Sequence, residues 1–198
     1  MTATLTFRPH YPPRFDGTLI LGESTFRGND PCSLTGWGAH FDAGFPHNFI
    51  LKHVEDNILN DDHTFRRLRE SFTPVIPAEE FWAQKSFTNF MPELLENSHA
   101  RPSLAQWTAG QREFGLLLDV VRHRRILVVG EKLWERLPQA ENETRSNCVY
   151  RQDILAMCIP HPSWWNRAKP RPYSSIDAQR ITAELMRHIR RIGVRHEY

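Results

Sequence analysis

Three side chains suited to acid–base or recognition chemistry stand just behind short β-rich runs of this 198-residue chain. Glu23 follows Thr18-Leu19-Ile20-Leu21-Gly22, Asn89 follows Lys85-Ser86-Phe87-Thr88, and His161 follows the run from Ile154 to Ile159 by two residues. A carboxylate, a carboxamide and an imidazole from three separate strands can share one pocket, which no single local motif would establish. Taken singly, each has a plainer structural role: Glu23 as a cap of a following helix, Asn89 as a turn residue, His161 as a loop residue between two prolines. Their convergence carries the functional reading. Other groupings lead to less. Ser24 and His161 would serve as nucleophile and base of a hydrolase, yet Gly22-Glu23-Ser24 lacks the G-x-S-x-G elbow, and Cys158 rather than an acid sits three residues before His161. His40, His47, His53 and His63 match none of the usual ligand spacings and no Cys joins them, so no metal is expected. Cys32, Cys148 and Cys158 are odd in number and without CxxC spacing, which predicts reduced thiols and no iron–sulfur cluster or other cofactor.

Such side chains need a frame. Besides the three runs named, Arg125-Ile126-Leu127-Val128-Val129 ends at Gly130-Glu131. Continuous apolar runs of this length suit strands buried on both faces, as in a parallel sheet covered by helices. Between them lie helical patterns. Phe114, Leu117, Leu118 and Val121 recur at helical spacing behind Thr108 and Gln111, which read as a capping box. Ile181, Leu185, Ile189 and Ile192 make a second stripe, with Ser174 and Asp177 at its start and Gly193 at its end. The fold class expected is α/β: a three-layer α/β/α domain with a central, mostly parallel four-stranded sheet, residues 1–198 forming a single domain. In such a sheet the ligand crevice lies beyond the carboxyl ends of the strands, where Glu23, Asn89 and His161 fall. The stretch from Gly38 to Pro77, rich in His, Asn, Asp and Phe with basic residues at Arg66, Arg67 and Arg69, reads as helix and long functional loop.

Composition bounds the function classes. With 40% hydrophobic and 24% charged residues the chain can bury a core, so disorder is excluded. Its 25 basic and 23 acidic residues leave only +2, so a basic surface must come from patterning, not from net charge. Arg187, Arg190, Arg191 and Arg195 read as a solvated helix face. No apolar run approaches the ~20 residues of a membrane span, and the first residues lack a secretory apolar stretch; a cytoplasmic monomer is expected.

The order of these elements resembles the uracil-DNA glycosylase superfamily, from Leu19 to the last helix. The residues that carry the resemblance are Leu19-Ile20-Leu21-Gly22-Glu23-Ser24, similar to the first motif, and Phe87-Thr88-Asn89-Phe90, like the strand that ends in a base-reading Asn. The Ile126–Gly130 strand and His161-Pro162-Ser163, similar to the second motif, complete the set. The resemblance implies a DNA glycosylase that hydrolyses the N-glycosidic bond of a flipped-out uracil or modified pyrimidine. Breaking that bond develops cationic character on the sugar and negative charge on the base. Glu23 would then position water or stabilise the sugar cation, and His161 would donate to the departing base. Asn89 would read a pyrimidine edge. Trp37, fourteen residues after Glu23, is placed like the aromatic that stacks on the flipped base, and Phe26 like the one that walls its C5 edge. Ser163 would contact phosphate, and Trp164 and Trp165 stand where similar enzymes carry an intercalating loop. The chain departs from the family pattern at Thr25, commonly Pro, and at Ser24, where one subgroup carries its Asp. It lacks the four cysteines of the iron–sulfur subgroup and resembles a divergent member without a cluster. His47, Asn48, His53, Arg66 and Arg67 supply more polar groups than a bare uracil engages, which favours a modified base beside uracil as substrate. The alternatives are a non-catalytic nucleic-acid-binding module of the same fold and the Ser24–His161 hydrolase.

Overall fold

A computed structural model describes residues 9, 12–24, 66, 68–69, 77–93, 95, 100–120, 124–141, 147–159 and 161. In chain order the elements are β1 (Thr18–Gly22), α1 (Ala78–Trp82), β2 (Lys85–Asn89), α2 (Leu104–Val120), β3 (Arg125–Val129), α3 (Glu131–Trp134), β4 (Asn147–Tyr150) and β5 (Ile154–Ile159). Arg66, Leu68 and Arg69 are also helical. No helix among the described residues is long and apolar enough to cross a membrane.

The strands form one sheet in the order β2-β1-β3-β5-β4. The first three neighbouring pairs are parallel, with Thr18 opposite both Lys85 and Arg125, and Arg125 opposite Leu155. Only β4 runs antiparallel, against β5. Most strand positions are buried, the apolar ones together with the polar Thr18, Ser86, Thr88 and Asn89. Leu19, Leu21, Ile126, Val128, Ile154 and Ala156 gather on one face beneath Phe114 and Leu117 of α2 and Leu133 of α3. Ile20, Phe87, Leu127, Leu155 and Met157, on the alternate positions, are buried too. Ring contacts reinforce the first face: Phe114 lies 6.0 Å from Phe90 and meets the edge of Tyr150 at 5.3 Å.

Two expectations need correction. The sheet has five strands where four were expected. The extra strand, β4, is short, with Cys148 and Tyr150 buried between half-buried Asn147 and Val149. It turns into β5 through Arg151 and Gln152, both at positive φ (50° and 68°), so a turn usually announced by Gly or Asn is built here from residues that give no such signal. The cap of α2 is Ser103, not Thr108: Gln106 N–H donates to Ser103 Oγ at 3.2 Å while Ser103 N–H donates to Gln106 Oε1 at 2.9 Å. Thr108 instead lies inside the helix, its hydroxyl donating to Leu104 O at 3.0 Å, and Gln111 Nε2 donates to Arg136 O at 2.9 Å, tying α2 to the turn after α3. The expected stripe of α2 holds at Phe114, Leu117 and Leu118, which pack into the core, while Val121 lies outside the described residues. Gly110, Glu113, Phe114 and Leu117 are its buried positions, and Leu118 is half-buried. The helix patterned on Ile181 to Ile192 lies outside the described residues.

Candidate functional site

The chain leaves β1 to build β2 on one side and later returns to build β3 on the other, so the sheet changes direction of growth between β1 and β3. Loops at the carboxyl ends of such strands part in opposite directions and open a crevice. Glu23 is the first residue past β1, at that point. Across the carboxyl edge the strand order therefore sets Asn89 at the end of β2, then Glu23, then Gly130 after β3, then His161 after β5. The sequence-expected acid, carboxamide and imidazole occupy one edge.

Backbone hydrogen bonds hold the loops where they leave the sheet. Phe90 N–H donates to Gly22 O at 2.8 Å and Met91 N–H to Glu23 O at 2.9 Å, so the β1–β2 ladder continues one step beyond Asn89. Gly130 N–H donates to Ile159 O at 2.7 Å, doing the same between β3 and β5. Two glycines are structural requirements here. A β-carbon at Gly22 would stand 2.5 Å from Asn89 Oδ1, so only glycine leaves room for that carboxamide over the end of β1. Gly130 adopts φ 115°, and a β-carbon there would lie 3.9 Å from the β-carbon of His161.

The environments of the three groups differ. Asn89 is buried, at 6% exposure. His161 is half-buried, and burial lowers its imidazole below the ordinary 6.5, so it is neutral at neutral pH. Glu23 is half-buried, and burial pushes its carboxyl above the ordinary 4.5 while the nearby Arg101 and Lys132 charges pull it back. Cys158, near the end of β5, is pushed up to about 12 by burial and by the Glu131 and Glu135 carboxylates, so it stays a thiol and offers no nucleophile. Among the described residues no three His, Cys, Asp or Glu side chains gather as a metal would require.

Sequence reasoning missed three residues here. Arg101, in the segment ahead of α2, and Lys132, in the short helix α3, are exposed cations whose type and spacing carry no positional signal. Glu113 is 5% exposed in the middle of α2. It lines a small cleft with Leu21, Thr88, Asn89, Phe90, Phe114 and Leu117. It lies four residues before Leu117 and three after Gly110, both buried on the same helix. The expected base-binding residues Phe26 and Trp37 and the expected DNA-binding residues Ser163, Trp164 and Trp165 lie outside the described residues, as do His40, His47, His53, His63 and the C-terminal arginines. No protein-family model matches the chain, and no curated protein matches it.

Proposed function

We propose that the chain is a DNA N-glycosylase of the uracil-DNA glycosylase superfamily, a divergent member without an iron–sulfur cluster, that hydrolyses the bond between deoxyribose and a flipped-out uracil or modified pyrimidine. The observation that carries this reading is the shared carboxyl edge, with Glu23 standing between Asn89 and His161 in strand order at the point where the sheet changes direction. The reading includes a three-layer α/β/α arrangement, supported by burial on both faces of the sheet, and a cytoplasmic monomer acting on DNA.

In this reading the base enters between Asn89 and His161. The Asn89 carboxamide offers a donor and an acceptor on one rigid plane, which matches the mixed edge of a pyrimidine, and Gly22 keeps that plane in place. As the C1′–N bond breaks, its electron pair passes to the base, and His161 donates a hydrogen bond to the anion that forms. A neutral imidazole suits this role, because it stabilises the charge in the transition state without a strong ion pair to the ground state. Glu23 stabilises the positive charge on the sugar and accepts the proton of the water that adds to C1′. Burial works against the ionised form of Glu23, and the charges of Arg101 and Lys132 favour it.

The test is release of free base and formation of alkali-labile sites from uracil-containing and hypermodified-pyrimidine DNA. Turnover of either substrate that is lost in Glu23→Gln supports the reading. DNA binding without base release points to a non-catalytic module, and ester cleavage that requires Ser24 points to a hydrolase.

A further inference from the structure

Two exposed cations bracket the proposed catalytic carboxylate without closing on it. Arg101 lies in the segment that leaves the carboxyl end of β2, two residues ahead of the Ser103 cap of α2. Lys132 lies in the first turn of α3, which begins directly after β3. Since β1 runs between β2 and β3, one cation falls on each side of Glu23. Both side chains are exposed, and among the described residues neither has a carboxylate within ion-pair distance, whereas Lys85, Arg112 and Arg151 each have one. Their charges nonetheless reach Glu23 and favour its ionised form.

From this placement, and resting on the glycosylase reading, we infer that Arg101 and Lys132 bind the phosphodiesters on either side of the nucleotide delivered to Glu23. A strand whose sugar meets Glu23 carries a phosphate before and after that sugar, and two cations on opposite sides of the carboxylate are placed to take one each. With a net charge of only +2, any grip on phosphates must come from where the cations are placed. Held apart from Glu23, they neutralise the backbone without neutralising the acid.

The experiment is a fluorescence titration of a single-stranded and a duplex oligonucleotide with the full chain, across about 50–200 mM salt. The variants are Arg101→Gln, Lys132→Gln, both together, and Arg101→Lys. Each lost phosphate contact should flatten the plot of log affinity against log salt by about 0.7 on single strands and about 0.9 on duplex, so the double variant should lose roughly twice that. Arg101→Lys should keep the wild-type slope. Arg112→Gln, which removes a 73% exposed charge about two turns down α2, should also leave it unchanged. A double variant with the wild-type slope, or a chain that binds neither oligonucleotide, overturns the inference. Base release is measured in parallel: a flattened slope without base release sinks the glycosylase reading and leaves the phosphate contacts standing. Release with an unchanged slope does the reverse.

Discussion

The two edges of this sheet use polar residues in opposite ways. At the amino edge, charged groups consume one another. Asp16 Oδ1 accepts the Thr18 N–H at 2.9 Å, Asp16 Oδ2 accepts the Lys85 ammonium, and the Asp16 carbonyl accepts an Arg125 N–H. Asp16 N–H donates to Gln84 O at 2.9 Å, Arg124 N–H and Arg125 N–H both donate to Gly17 O at 3.1 Å, and Leu155 N–H donates to Arg124 O at 3.1 Å. The starts of β1, β2, β3 and β5 are thereby joined, although Thr18 Oγ1 and Arg125 Nε are left buried without partners. At the carboxyl edge the fastening is done by main-chain groups and two glycines, and among the described residues Glu23 closes no ion pair. A sheet can hold its register at one end with side chains and so release the side chains of the other end for a ligand.

The sharpest way to break that comparison is to find that the carboxyl edge is structural too. Asn89→Ala and His161→Ala should each slow base release by roughly 10²-fold or more, through loss of a preorganised donor, while the chain remains folded by circular dichroism. Unchanged turnover with a large fall in melting temperature would reverse their assignment. Asp16→Ala should do the opposite. Removing the shared acceptor leaves the Lys85 side chain, only 13% exposed, without its counter-ion, so stability should fall by roughly 2–3 kcal/mol in urea titrations, with the rate per folded molecule unaltered.

Smaller effects sharpen the contrast. Gly22→Ala drives a β-carbon against Asn89 Oδ1 and should cost roughly tenfold to 10²-fold in turnover, with discrimination among pyrimidines lost alongside. The same substitution in an Asn89→Ala background should add little, because its target is already gone; additive losses would show that Gly22 acts elsewhere. The pH response separates the two titrating groups. His161 has a lowered native value, so below pH 6.5 the unfolded chain takes up the proton first, and stability should decline as the pH falls through 6.5 toward the native value. His161→Asn should flatten that decline, and the acid limb of base release should lie below 6.5. Glu23 has a raised native value, so it costs stability as the pH rises through 4.5 and beyond. Glu23→Gln should therefore stabilise the chain at neutral pH while abolishing base release. The gain should stay below about 1 kcal/mol, since solvent screens a half-exposed carboxylate. A destabilised, active Glu23→Gln chain would remove Glu23 from the site.

Much of the parallel part of the sheet could be read directly from the chain. The four β-rich runs became β1, β2, β3 and β5, with Asn89 as the last residue of β2 and Gly22 as the last of β1. The failures have specific causes. Ser103-x-x-Gln106 and Thr108-x-x-Gln111 are the same local signal, and the choice between them depends on where the loop before α2 delivers the chain. β4 escaped notice because Arg151 and Gln152 make its turn without Gly, Asn or Pro. Glu113 escaped because a carboxylate within a helix reads as its wet face.

What the sequence determined by itself was local: where apolar runs begin and stop, and which polar residue follows each. Those signals lie within a few residues of one another, so the chain states them without reference to the rest of the fold. Which strand lies beside which was decided only in three dimensions, because pairing depends on contacts between segments tens of residues apart. Strand order set Glu23 between Asn89 and His161 and placed Arg101 and Lys132 to either side of it. Burial then moved the proton affinities of Glu23 and His161 toward each other, a shift that depends on how much protein replaces water around each group.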